Sequence, residues 1–266
     1  MKGLYLYCIR KRTVAPSFSI KGIDGKGSVF VIPFQELEGV ISKVSLEEFA
    51  SEEIQKRAQE DLNWIKEKTV IHEKVIEEAM QRNEEILSVI PMKFGTLFKE
   101  KERLEQTLNE HYERFKNTLE KLEGKREWSI KLYLVDKRRF EQEVKSKSKI
   151  IMEKEKEIAD LPEGVAYFLE GKLKELISRD VDKKLKKTQK AIFNGFKIYA
   201  EQSRKGKILG REITGKHEPM ILNAYYLIKK EKIDDFIREA ESINQSLKKK
   251  GFVLEYSGPW PPYNFV

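Results

Sequence analysis

Trp128-Ser129-Ile130-Lys131-Leu132-Tyr133-Leu134-Val135 decides the architecture of the chain. Trp128, Ile130, Leu132 and Leu134 alternate with Ser129, Lys131, Tyr133 and Val135. This is the period of two that sends successive side chains to opposite faces of a sheet. A very polar stretch to Ile158 follows and predicts an exposed helix. Leu161-Pro162-Glu163-Gly164 punctuates it, and Pro162 suits a helix start because its missing N–H has no intrahelical partner there. Leu173, Ile177, Val181, Leu185, Thr188, Ile192, Phe196 and Tyr199 then recur at steps of three and four, one face of a long helix. A loop or short strand is expected around Ile208–Ile213, a strand over Met220–Ile228, an amphipathic helix over Ile233–Leu247 and a last strand over Phe252–Tyr256. The order β-α-β-β-α-β is that of a ferredoxin-like unit, with its second strand the faintest.

Upstream, Leu4–Ile9 is apolar on both alternating faces, as in a strand covered on both sides. The glycine-rich turn Gly22-Ile23-Asp24-Gly25-Lys26-Gly27 leads into a strand Ser28–Ile32, which Pro33 should end by removing a ladder donor. Val40–Val44 alternates as a third strand. Ser45-Leu46-Glu47-Glu48 has the spacing of a capping box. Ile54, Ala58, Leu62 and Ile65 form one helix face, and Val75, Ile76, Ala79 and Met80 a second. Ile86–Phe94 alternates around Ile90, Met92 and Phe94, with Gly95 at its end. Leu104, Leu108, Tyr112, Phe115, Leu119 and Leu122 predict one long helix closed by Gly124. The reading is α+β: an N-terminal α/β domain over 1–123, a ferredoxin-like domain over 124–257 and a tail over 258–266.

Composition narrows the function. Of 266 residues, 36 % are charged and 39 % hydrophobic, and the mean hydropathy is −0.59. No apolar run approaches the roughly 20 residues of a membrane-spanning helix. The apolar stretch in Met1–Arg10 is short and reads as a strand, not a signal peptide. Cys8 is the single cysteine, so an internal disulfide or a cysteine zinc site is excluded and a reducing, cytoplasmic setting is expected. Net charge is +8, yet residues 171–211 hold 13 Lys/Arg against 4 Asp/Glu, or +9, leaving −1 for the remainder. The basic character therefore belongs to one segment.

Motifs for chemistry are incomplete. Gly22–Gly27 lacks the phosphate-loop spacing and precedes a strand, so it reads as a turn. His72-Glu73 opens like a zinc HExxH, but Ile76 occupies the second ligand position. His111 beside Tyr112 reads as a hydrogen-bonded core histidine, and His217 as a loop residue. Neither a nucleophile elbow nor a metal set is present, so no catalytic, cofactor-binding or metal residues are assigned. Two segments are candidate partner surfaces. Lys183, Lys184, Lys186 and Lys187 lie on the polar arc of the long helix, where they could attract an acidic surface or simply keep the chain soluble. Gly258-Pro259-Trp260-Pro261-Pro262-Tyr263-Asn264-Phe265-Val266 has three prolines that stiffen it and three aromatics too apolar to leave in water. It reads either as a strap packed on its own domain or as a preformed ligand for a partner groove, with Trp260, Tyr263 and Phe265 as contacts.

At these residues the chain resembles the gas vesicle protein F/L family. The tail 258–266 is similar to the family's C-terminal signature, and Ile90-Pro91-Met92-Lys93-Phe94-Gly95-Thr96-Leu97-Phe98 to its Phe-Gly-Thr core. Glu127-Trp128-Ser129-Ile130-Lys131 matches its Glu-Trp-x-x-Lys strand, and Gly164-Val165-Ala166-Tyr167 its Gly-x-Ala-Tyr-Leu helix start, with Phe168 in place of Leu. Leu4-Tyr5-Leu6-Tyr7, Gly22-Ile23-Asp24-Gly25, His72-Glu73 and Asn223-Ala224-Tyr225-Tyr226-Leu227 fall in the family's order. The very basic long helix and the Lys/Glu-rich stretch 137–160 depart from it. The resemblance implies a non-enzymatic minor component of gas vesicles without a cofactor. It implies binding to the small hydrophobic major shell protein and other accessory proteins, and a role in shell nucleation and assembly. The alternatives are a basic nucleic-acid-binding or adaptor protein using the 171–211 helix, or an enzyme with an unrecognised pocket.

Overall fold

The structure, a computed structural model, describes residues 1–14, 16–49, 51–82 and 85–266. The chain folds as two units: Met1–Glu127 with Pro259–Val266, and Trp128–Gly258. It thus leaves the first unit inside one strand and re-enters it inside its last strand.

In the first unit, β1 (Lys2–Lys11), β2 (Val29–Phe34) and β3 (Leu37–Ser45) precede α1 (Leu46–Phe49), α2 (Ser51–Glu60) and α3 (Leu62–Met80). The short strands β4 (Gln81–Arg82), β5 (Glu85–Ile86), β6 (Val89–Pro91) and β7 (Leu97–Phe98) follow, then α4 (Lys101–Glu110) and α5 (Tyr112–Leu122). The sheet order is β2-β3-β1-β6, with β7 also on β1. Strand β1 is central and carries a core on each face. Tyr5, Tyr7 and Cys8 join the α3 side, while Leu6 and Ile9 join the α4–α5 side. A bulge between Leu6 and Cys8 lets two neighbours, Tyr7 and Cys8, reach the same core. Among the described residues, one charged pair is buried in this unit. The Arg10 Nε donates to Glu38 Oε1 at 2.8 Å and its Nη1 to the Ala79 carbonyl, so neither charge is left without a partner.

Several expectations change here. Pro33 does not end β2. It pairs with Glu38, and because β2 is an edge strand its missing N–H breaks no second ladder. The helix face drawn through Ile54, Ala58, Leu62 and Ile65 is interrupted. Asp61 caps α3 by accepting the Asn63 and Trp64 N–H groups, and Leu62 is 75 % exposed. The side chain of Ala58 lies outside the described residues. The long helix expected through Leu104–Leu122 breaks at His111, which ends α4 and begins α5. His111 is exposed at this joint instead of buried in a core. The strand read over Ile86–Phe94 shrinks to β6, with β5 in a separate ladder with β4.

The second unit holds β8 (Lys125–Leu134, from Trp128 onward), α6 (Lys137–Lys147), α7 (Lys149–Ala159), α8 (Glu163–Phe196), β9 (Ala200–Lys205), α9 (Arg211–Thr214), β10 (Met220–Lys229), α10 (Ile233–Lys248) and β11 (Phe252–Trp260). The sheet order is β11-β8-β10-β9. Pro162 stands at the N-cap position of α8, and Leu173, Ile177, Val181, Ile192 and Phe196 are buried along the helix. The single exposed helix expected before Ile158 is two, α6 and α7, separated at Ser148. Phe236 of α10 anchors the core, with the rings of Trp128, Phe196, Tyr199 and Tyr226 all within 6.3 Å. Of the loop or short strand read around Ile208–Ile213, the structure has a loop that leads into α9, and the strand of the sheet is Ala200–Lys205. As an edge strand it buries no residue, so it carries no apolar alternation to read. Among the described residues, no helix is long and apolar enough to cross a membrane.

Candidate functional site

The tail begins as structure, not as an appendage: β11 runs through Gly258 and Pro259 to Trp260. Beyond it, Pro261, Pro262 and Phe265 are buried, and Tyr263 packs against the core between β1 and α3. The strap therefore joins the first unit, not the domain it follows in sequence.

Its polar contacts are built from α3 and β1. Lys68, His72, Val75, Ile76, Ala79 and Met80 form the buried stripe of α3, which puts the imidazole beneath β1. Its Nδ1 lies 3.1 Å from the Tyr5 hydroxyl, and its Nε2 lies 3.2 Å from both the Met92 carbonyl and the Tyr263 hydroxyl. A carbonyl only accepts, so Nε2 carries the proton and Nδ1 accepts from Tyr5 O–H. The Tyr5 oxygen in turn accepts from the Gly95 N–H at 2.9 Å. Gly95 has φ +84°, a left-handed turn that aims this N–H inward and suits glycine. The Tyr263 hydroxyl donates to the Glu73 carboxylate. Two further bonds hold the next residue: Asn264 N donates to Glu127 Oε2 at 3.1 Å and its Nδ2 to Oε1 at 2.6 Å.

Burial sets the protonation states. It pushes His72 down to about 4, so the ring is neutral and fits the tautomer above. It pushes the Glu73 carboxyl up. The phenols of Tyr5 and Tyr263 are pushed up by burial, that of Tyr263 also by the adjacent Glu73 charge. Tyr7 is pushed up to about 12 by burial. Its oxygen accepts from Ile23 N at 2.6 Å and lies 2.8 Å from Ser42 Oγ. The turn beside it is closed by its own side chain: Asp24 Oδ1 accepts from the Lys26 and Gly27 N–H groups at 2.9 and 2.8 Å. Among the described residues, no group of three or more His, Cys, Asp or Glu is placed to hold a metal.

The predicted contact residues fare differently. Phe265 is 9 % exposed and buried, whereas Trp260 is 41 % exposed. Lys183, Lys184, Lys186 and Lys187 are all exposed on α8, off its buried stripe. They belong to the second unit, and Tyr263 and Phe265 to the first. Three of the lysines, Lys183, Lys184 and Lys187, share a cleft of about 290 Å³ with Lys147, Glu143 and Asp180, so its charge is partly balanced. Tyr5, His72, Glu73 and Glu127 form a site that no single motif in the sequence spells out. The one signal for it is His72 standing in register with Ile76 and Ala79, on the face a helix turns to its core.

This is a site whose motif side chains bind one another and the chain's own terminus: a latch in a two-unit α+β protein. The profile of the family "Gas vesicle synthesis protein GvpL/GvpF" matches residues 3–266. Gas vesicle protein F of Dolichospermum flosaquae is 26 % identical, over 99 % of this chain and 97 % of its own. Gas vesicle protein L1 of Halobacterium salinarum is 25 % identical, over 99 % of this chain and 90 % of its own. The crystal structure of the gas vesicle protein GvpF from Anabaena sp. PCC7120 shares the fold with a TM-score of 0.72 at 22 % identity, covering 100 % of this chain and 96 % of that one. That of GvpF from Microcystis aeruginosa gives 0.68 at 21 %, covering 99 % and 98 %. The chain belongs to the GvpL/GvpF family of gas vesicle synthesis proteins, and its role is that of a gas vesicle accessory protein.

Proposed function

We propose that the chain is a non-enzymatic, cytoplasmic component that binds the major gas vesicle shell protein, with other accessory proteins, and supports nucleation and assembly of the shell. The observation that carries this reading is the family match from residue 3 to residue 266, which takes in both units of the chain. The physical logic is consistent with it. A subunit that packs into a wall exposes apolar surface before incorporation and needs a docking partner, not a reactant. The latch supports the same reading, since Tyr5, His72 and Tyr263 are engaged with each other.

The second domain is read as ferredoxin-like within the same proposal. In its sheet the fourth strand lies beside the first, then come the third and the second, with helices after the first and third strands. The test is co-purification: tagged chain expressed with the remaining gas vesicle genes should retain the shell protein, and cells lacking the chain should form few or no vesicles. Normal vesicles without it would overturn the proposal.

A further inference from the structure

The seam between α7 and α8 is not closed. A cleft of about 290 Å³ runs along it, floored by Ile158, Leu169, Leu173 and Leu176 and rimmed by Lys154, Glu157, Lys172 and Arg179. At 100° per residue, Val165, Leu169, Leu173 and Leu176 fall within an arc of about 80° on α8, with Lys172, Arg179 and Phe168 along one border of it. The first turns of the helix thus prolong the cleft, with Val165 on its floor and Phe168 on its border, and there both stand in water: Val165 is 49 % and Phe168 63 % exposed. A helix whose only task is to cover its own sheet has no reason to carry an apolar arc past the sheet. The rim has three cations to one carboxylate. Lys172 Nζ lies 4.6 Å from the centre of the Phe168 ring, which keeps positive charge at the mouth of the groove.

We propose that this groove docks an amphipathic helix of a partner protein, apolar on one face and edged by carboxylates. From Val165 to Arg179 the helix rises about 21 Å, so the occupant is about four turns long. The rim decides the flanks, because acidic borders pair with Lys154, Lys172 and Arg179 while basic ones are repelled. The same rim disfavours a second copy docked groove to groove, which would bring like charge to like. An inorganic anion would find an apolar floor. The inference rests on the accessory-protein reading only in taking the occupant to be a protein segment.

The test uses the full chain and three labelled synthetic peptides of about 15 residues in fluorescence-polarisation titrations. One has a leucine face flanked by Glu, one the same face flanked by Lys, and one is a scramble of the first. The Glu-flanked peptide should bind saturably and at least about tenfold tighter than the others. Val165→Ser with Phe168→Ser should weaken it by about tenfold with far-UV dichroism and melting unchanged. Lys154→Glu with Lys172→Glu and Arg179→Glu should reverse the preference toward the Lys-flanked peptide, a gain that misfolding cannot produce. Equal binding of all three peptides, no saturable binding, or indifference to both variants would overturn the proposal. So would a dimer in sedimentation that Phe168→Ser dissociates. None of these outcomes bears on co-purification with vesicle proteins, so the two proposals fail separately.

Discussion

The hydroxyl of Tyr263 lies 3.2 Å from Nε2 of His72, across 191 positions of sequence. Closing a loop that long has a large entropy cost, and the contact is held by more than its own bond. His72 is fixed by Tyr5 and Met92, and Tyr263 also donates to Glu73. Segments that resemble the family at residues 4–7, 72–73, 91–95, 127 and 263–265 are thereby brought to one latch in the first unit.

Removing the hydroxyl tests that latch. Tyr263→Phe keeps the ring in its apolar contacts but leaves the half-buried Glu73 carboxylate without this donor. A hydrogen bond to a charged group is worth about 1.5–3 kcal/mol, and part-exposure of Glu73 lowers the expected loss to about 1–2 kcal/mol. Urea titration of wild type and variant measures it. An unchanged midpoint would show that the hydroxyl is incidental.

The neutral imidazole gives stability a pH dependence of defined sign. His72 titrates near 4 when folded, against about 6.5 in an unfolded chain. Between those values the unfolded state binds more protons, so stability is full above about 6.5 and falls as pH drops toward 4. The expected loss over this window is on the order of a few kcal/mol. Glu73, whose folded pKa is raised, acts in the opposite direction as its window is crossed. The measurement is therefore cleanest as urea midpoints against pH for Glu73→Gln alone and for Glu73→Gln with His72→Gln. The slope should flatten in the double variant, and equal slopes would count against His72.

Much of this fold is legible in the sequence because burial imposes a period. The long helix α8 is traced by Leu173, Ile177, Val181, Ile192 and Phe196, and β1 by an apolar run that two cores require. What escapes has physical causes. Edge strand β9 buries nothing, so AEQSRK has no stripe. The breaks at Asp61 and His111 leave the three-four spacing of apolar residues nearly intact, so two helices look like one. The histidines change places for a related reason. His111 sits next to an apolar stripe in sequence but at a joint in space, while His72, half of a broken zinc motif, is the one that is buried. Spacing shows only that His72 faces a core; its partnership with Tyr263 cannot be read that way, because the two meet only after β11 returns the chain to the first unit.

The lysines of α8 should prove separable from folding. Lys183, Lys184, Lys186 and Lys187 are exposed and lie off the buried stripe. Changing all four to Glu should leave the melting temperature within a few degrees and weaken association with an acidic partner surface, most of all at low salt. Pull-downs across a salt series check this. Unchanged retention at low salt would leave the lysines as a solubilising face.

The tail gives the most specific expectation, because the structure places its support in the unit it does not adjoin in sequence. Deleting 261–266 spares β11, which ends at Trp260. It removes buried Phe265, the Tyr263 contacts and both bonds from Asn264 to Glu127. Burying one large aromatic contributes roughly 1.5–3 kcal/mol, and a stiff Pro-Pro segment loses less entropy on docking than a flexible one. The truncated chain should therefore be less stable by several kcal/mol, and hydrogen exchange should quicken in α3 and β1 while α10 and β10 keep their protection. Phe265→Ala should reproduce more of the loss than Trp260→Ala, since Phe265 is 9 % exposed and Trp260 41 %. Exchange that quickens first in α10 and β10, or a larger effect from Trp260→Ala, would mean that the tail is held by something other than the latch around His72.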